Sequence, residues 1–221
     1  MSAAIYIGDI MFKKYNPLNF LFFIPFFFGL YVAVNDGVIY PVEKSVFEIL
    51  RKLAPAADIP MRALTELGSA VGVIAITALI VIVSIFKKRF FDFGLPVALV
   101  TIVSRIVNIT IKSLLDRPRP DFKVLEASES SFPSGHSQNN MALYLAILFA
   151  ILLISNAQKI RLTAKVCCIA LPIIIGITRI YFGVHYISDV ISGWSLGVIV
   201  AYNVSYLYFK YLINLKKKDA D

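Results

Sequence analysis

The 221-residue sequence predicts an all-α integral membrane bundle of six transmembrane helices with both termini in the cytoplasm, on three observations. Hydrophobic residues make up 58% of the chain and charged residues 16%, against about 45–50% and 25% in ordinary globular chains. Mean hydropathy is +0.77, so a water-soluble fold would have too little polar surface. Apolar runs of about 20 residues, the length that crosses roughly 30 Å of hydrocarbon, recur along the chain. Lys and Arg cluster in alternate connections between those runs, as they do on the cytoplasmic side of membrane proteins.

The first run covers 18–34 and follows Lys13 and Lys14. A basic start could also open a cleaved signal peptide, but this Phe-rich stretch exceeds the usual 7–15-residue apolar core, so a retained span is expected. Between 44 and 53, Val46, Phe47, Ile49, Leu50 and Leu53 recur at helical spacing among Lys44, Glu48, Arg51 and Lys52. That pattern predicts a helix lying in the interface, either a cap over the fold or a gate for substrate. Further spans are expected at 67–86, 93–115, 137–155, 166–182 and 188–212. No repeat, low-complexity tract or separate soluble segment is visible, so residues 1–221 read as one transmembrane domain.

Under this count Lys13 and Lys14, then Lys87, Lys88 and Arg89, then Lys159, Arg161 and Lys165, and finally Lys216, Lys217 and Lys218 share one face, the cytoplasmic one. Residues 35–66, 116–136 and the turn around His185 fall on the other, facing the periplasm or exterior of a cell membrane. The net charge of +8 does not point to nucleic acid, because the basic residues punctuate apolar runs rather than forming a patch. Cys167 and Cys168 are adjacent, which disfavours a disulfide between them, and lack metal-ligand spacing; they read as packing residues.

Three blocks carry chemistry: Lys112 to Pro120 (KSLLDRPRP), Pro133 to His136 (PSGH) and Arg179 to Asp189 (RIYFGVHYISD). Together they resemble the signature of the type 2 phosphatidic acid phosphatase superfamily: Lys, six residues, Arg-Pro; then Pro-Ser-Gly-His; then Ser-Arg, five residues, His, three residues, Asp. Thr178 stands where that pattern has Ser. Counting from Lys112 selects Arg119 and Pro120, which leaves Arg117 and Pro118 outside the motif.

Physical reasoning leads to the same residues. The third span runs outward to Lys112, the fourth starts beside His136 and the sixth beside Asp189. Arg179 lies about 14 residues beyond Lys165, roughly 21 Å along a helix and so near the same outer level. Burying one Lys or Arg at the bilayer centre costs about 2.5–3.5 kcal/mol, and any one of them alone could snorkel to the interface. Lys112, Arg119 and Arg179 grouped together instead call for an anion, and a phosphomonoester of charge about −1.5 to −2 matches Arg forks and a Lys point charge. Ser134 and Gly135 precede the fourth helix, whose free amides and positive dipole end suit the same anion.

The chain's two histidines, His136 and His185, both occupy motif positions. If the sixth helix includes both His185 and Asp189, their four-residue spacing puts them on one face, where Asp189 can accept from a ring nitrogen. The resemblance implies that His185 attacks phosphorus in line, that His136 protonates the departing oxygen, and that water later frees phosphate from His185. It also implies a metal-independent enzyme without cofactor. Membrane lipids are the expected partners and a lipid phosphate or diphosphate the expected substrate, with undecaprenyl diphosphate first and phosphatidylglycerophosphate or phosphatidic acid as alternatives. Transfer of phosphate to another lipid is a further possibility, since a phosphohistidine can be intercepted by other acceptors. Thr101, Arg105, Asn108 and Lys112 form a polar stripe on the third span. Arg105 there either supports the phosphate cluster or belongs to a structural ion pair; in a transporter, the non-enzymatic alternative, the stripe would line a path.

Overall fold

The computed structural model describes residues 39–127 and 130–218, together with Ile24, Phe27 and Tyr31. Apart from those three residues, the expected span 18–34 lies outside the described residues, as do both termini. Among the described residues all regular structure is helical: α1 (Tyr40–Arg51), α2 (Asp58–Leu67), α3 (Ala70–Phe86), a π-helical turn (Phe90–Gly94), α4 (Leu95–Leu115), α5 (Gly135–Ile154), α6 (Gln158–Tyr181) and α7 (Ile187–Lys218).

Among the described residues, four segments are long and apolar enough to cross a membrane: Phe90–Leu115, Gly135–Ile154, Gln158–Tyr181 and Ile187–Tyr211. Helices α2 and α3, bent by 54° at their junction, qualify together as a fifth. The break has a local cause, since Ser69 adopts an extended conformation and its hydroxyl accepts from the Gly72 amide at 3.1 Å, starting a new helix. The expected outer loop 35–66 is therefore largely helical over its described residues from Tyr40 onward. Its amphipathic helix begins at Tyr40 rather than 44, with Pro41 in the first turn where a missing N–H costs nothing.

Two boundaries shift for a simple reason. Helix α6 starts at Gln158 rather than 166, because residues 158–165 are too polar for an apolar run yet contain nothing that breaks backbone hydrogen bonding. Helix α7 starts at Ile187, so His185 lies just before it and the His185–Asp189 spacing is not one of two helical residues.

Helix α5 is the most buried of the candidate spans and packs against α4, α6 and α7. Its apolar layer combines Ala142 and Leu143 with Val97 and Val100 of α4 and Val200 and Ala201 of α7. The α5–α7 approach depends on Gly193 and Gly197, four residues apart: a Cβ would lie 2.7 Å from the Ser134 carbonyl oxygen at the first and 2.6 Å from that of Gln138 at the second. Above the apolar layer, polar side chains lock α4 to α5. Asn108 donates to Gln138 Oε1 at 2.8 Å, Gln138 donates to the Ser104 carbonyl at 2.9 Å, and Ser104 donates to Asn139 Oδ1 at 2.8 Å. With little water in the bilayer core, such groups must satisfy one another, which fixes the helices in register beneath the site.

Candidate active site

Lys112, Arg119, Gly135, His136, Arg179 and His185 line one cavity of about 230 Å³. Each arrives by a different route. Lys112 stands in the last turn of α4, where Asp116, in a left-handed conformation at φ 28°, ends the helix and sends the chain into the segment bearing Arg117 and Arg119. Lys112 Nζ donates to the Ser130 carbonyl. His136 occupies the first turn of α5, opened by Ser134, whose hydroxyl accepts from the Ser137 amide at 3.4 Å. Asn140 clamps that turn by donating to the carbonyls of His136 and Gly68, each at 2.8 Å. Arg179 lies in the last turn of α6 and donates through Nη1 to Thr65 of α2, while its buried Nε has no partner among the described residues.

His185 follows a turn at Gly183, whose φ of 62° lies in the left-handed region and whose Cα faces the Phe122 carbonyl, 2.7 Å from where a Cβ would stand. The imidazole is 3% exposed. Its Nδ1 faces Asp189 Oδ2 at 3.4 Å and its Nε2 faces Arg119 Nη1 at 3.2 Å. A guanidinium has donors and no acceptor, so Nε2 presents its lone pair and the proton resides on Nδ1, toward Asp189. Burial first, and then the positive charges of Arg119, Arg179 and Lys112, hold the His185 pKa well below the usual imidazole value.

Asp189 does not reach the cavity wall; it acts from behind. Oδ2 accepts from the Tyr186 amide at 2.9 Å at the opening of α7, and this hydrogen bond, rather than shared helical membership, holds it against His185. Oδ1 takes the Arg117 guanidinium at 2.5 Å. Ser134 is likewise absent from the cavity lining: its hydroxyl caps α5 and its amide donates to the Asp189 carbonyl at 3.1 Å, tying the two histidine-bearing segments together.

Sequence reasoning set Arg117 aside and missed Glu43. Arg117 is 5% exposed and spans three partners, with Asp189 on one side, Ser188 at 3.0 Å, and Glu43 of α1 at 3.2 Å, while its guanidinium stacks 3.9 Å from the centroid of the Tyr186 ring. Ser188 donates its hydroxyl to Glu43. Burial raises the Glu43 pKa above the ordinary carboxylate range, opposed by the Ser188 hydrogen bond and the Arg117 charge. The one available signal for Arg117 was its place in a doubled Arg-Pro; Glu43 had none, because its partner lies 74 positions away. Arg105, Asn108 and Thr101 also line the cavity, on its α4 side. Among the described residues no three His, Cys, Asp or Glu side chains converge as metal ligands would.

A helical membrane bundle whose cationic cavity holds two histidines, one backed by a carboxylate, defines a membrane phosphatase. Residues 93–213 match the model of the PAP2 superfamily, and the chain belongs to that superfamily. It is 29% identical over 196 residues to phosphatidylglycerophosphatase B of Bacillus subtilis, covering 86% of this chain and 93% of the relative. It is 33% identical over 103 residues to a decaprenylphosphoryl-5-phosphoribose phosphatase of Mycobacterium tuberculosis, covering 44% of this chain and 51% of that one. The crystal structure of a transmembrane PAP2-type phosphatidylglycerolphosphate phosphatase from Bacillus subtilis superposes with a TM-score of 0.78 at 26% identity, over 89% of this chain and 97% of that chain. The chain is accordingly a hydrolase of phosphoesters, and membrane lipids are its surroundings.

Proposed function

We propose that this phosphatase removes the terminal phosphate of phosphatidylglycerophosphate by way of a phosphohistidine on His185. The observation that carries the reading is the His185 ring: Nδ1 held toward Asp189 and Nε2, with its lone pair, turned into a cavity lined by Lys112, Arg119 and Arg179. In the first half-reaction Nε2 forms a bond to phosphorus while the bond from phosphorus to the glycerol oxygen breaks, and His136 gives that oxygen its proton. In the second, water attacks phosphorus, its proton returns to His136, and the bond to Nε2 breaks. Lys112, Arg119, Arg179 and the amide of Gly135 at the α5 N-terminus carry the charge on the equatorial oxygens, which is the main work of catalysing phosphoryl transfer. Ser134 supports the phosphate loop from behind. Every role in this reading is filled by a side chain or backbone amide of the protein, so the reaction calls for no metal or cofactor.

Correspondence over nearly the full length of phosphatidylglycerophosphatase B favours phosphatidylglycerophosphate over undecaprenyl diphosphate. The prenyl-linked substrate in the name of the mycobacterial relative keeps undecaprenyl diphosphate as the second reading. The distribution of Lys and Arg supports a single six-span domain over 1–221, cytoplasmic termini and a site facing the outer leaflet. Purified protein should release phosphate from phosphatidylglycerophosphate in the presence of EDTA, and His185→Ala should abolish that release. Release that needs a divalent cation, or that survives in His185→Ala, would refute the mechanism.

A further inference from the structure

Among the cations that line the cavity, Arg105 is left unused by the proposed chemistry. It sits midway along α4, a candidate membrane span, and its side chain is exposed; in lipid such a charge is costly and ordinarily has a partner. Among the described residues it makes no ion pair and no hydrogen bond. It does line the cavity that holds the two histidines, two helical turns or about 10 Å along α4 from Lys112. Between them Asn108 continues the polar lining, and Val73 and Ile74 of α3 add apolar lining to the same cavity. The cavity thus combines three cations and two imidazoles with a further cation about 10 Å along α4 from Lys112 and with aliphatic lining from α3.

We propose that Arg105 forms a second anion subsite, which takes a phosphodiester lying on the acyl side of the scissile phosphate and so sets the choice among lipid phosphates. The inference rests on phosphatidylglycerophosphate being the substrate. In that lipid the terminal phosphate and the phosphodiester are separated by a whole glycerol unit, and the phosphodiester is the group nearer the acyl chains. With the terminal phosphate at His185, the phosphodiester extends along α4 toward Arg105 and the chains leave past Val73 and Ile74. Phosphatidic acid has no second phosphate to present. In a prenyl diphosphate the two phosphorus atoms share one oxygen, which keeps both beside Lys112 and short of Arg105.

The test uses purified full-length wild type and Arg105→Gln in detergent micelles, with dioleoyl phosphatidylglycerophosphate and dioleoyl phosphatidic acid as substrates. The ratio of kcat/KM on the first to that on the second should fall about ten-fold or more in Arg105→Gln, the scale of one lost hydrogen bond between charged groups. Arg105→Lys should recover part of the ratio. An unchanged ratio in Arg105→Gln overturns the subsite while leaving the substrate reading intact. Wild type that cleaves phosphatidic acid but not phosphatidylglycerophosphate overturns both. A wild-type measurement guards against misfolding of the variant: a substrate analogue with an uncharged methylphosphonate in place of the phosphodiester should lose a similar factor. Full activity of wild type on that analogue overturns the proposal.

Discussion

The Arg117 guanidinium meets the Asp189 carboxylate at 2.5 Å and on its other edge meets Glu43 at 3.2 Å, so one side chain joins α1 to the carboxylate behind His185. Asp189 and Glu43 are 0% and 2% exposed, and without Arg117 each would be a buried carboxylate with no Lys or Arg partner among the described residues. Arg117→Met should therefore destabilise the protein by about 3–5 kcal/mol, the cost of breaking a buried ion pair by removing one partner. Arg117→Lys keeps the charge but loses the fork and should fall between. Thermal unfolding in detergent, read beside kcat, checks both: an unaltered midpoint in Arg117→Met would mean the network contributes nothing.

Deleting the acid should separate leaving groups. His136→Ala should lower turnover of a lipid phosphate by about 10²–10⁴, the usual contribution of a positioned proton donor. Its loss on p-nitrophenyl phosphate, whose leaving group departs without a proton, should be clearly smaller. Equal losses on the two substrates would assign His136 to binding.

The pH profile follows from the low His185 pKa. Attack requires the neutral imidazole, and because its pKa lies below the ordinary value of about 6.5, His185 stays neutral as pH falls through 6.5 and loses nucleophilicity only at lower pH. The acid limb of kcat/KM assigned to this group should lie below 6.5. Removing a neighbouring cation, as in Arg119→Gln, weakens one cause of the depression and should move that limb to higher pH, alongside a fall in rate. A limb that moves to lower pH would contradict the electrostatic assignment.

Gly183→Ala places a side chain at φ 62° with its Cβ 2.7 Å from the Phe122 carbonyl. The backbone conformation alone costs about 1–2 kcal/mol, and the close contact adds to it. Because Gly183 sets the turn between Arg179 and His185, kcat should fall as well as stability. Full activity with an unchanged unfolding midpoint would show that the turn adapts freely.

How much of this was legible in the sequence depends on the range of the forces involved. Apolar runs mark membrane helices because their cost or gain in hydrocarbon is a property of each residue and its near neighbours; α4, α5 and α7 begin within two residues of the expected 93, 137 and 188. Helix ends were harder. Residues 158–165 continue α6 as a helix although hydropathy stops at 166, since hydrogen bonding persists where lipid need not. The break at Gly68–Ser69 and the helix 58–67 before it were not foreseen, because a 54° bend is set by what each half packs against.

The sequence by itself determined that this chain enters a membrane as helices and carries Lys112, Arg119, His136, Arg179, His185 and Asp189 at the spacings of a phosphatase family, since composition, periodicity and motif spacing are all local quantities. Only the tertiary structure decided that Asp189 is gripped from behind by Arg117, that Glu43 of α1 pairs with the same Arg117, and that Arg105 opens on the same cavity as the histidines. Ion pairs and cavities are made between helices, and which side chains meet there depends on crossing geometry that no stretch of chain encodes alone.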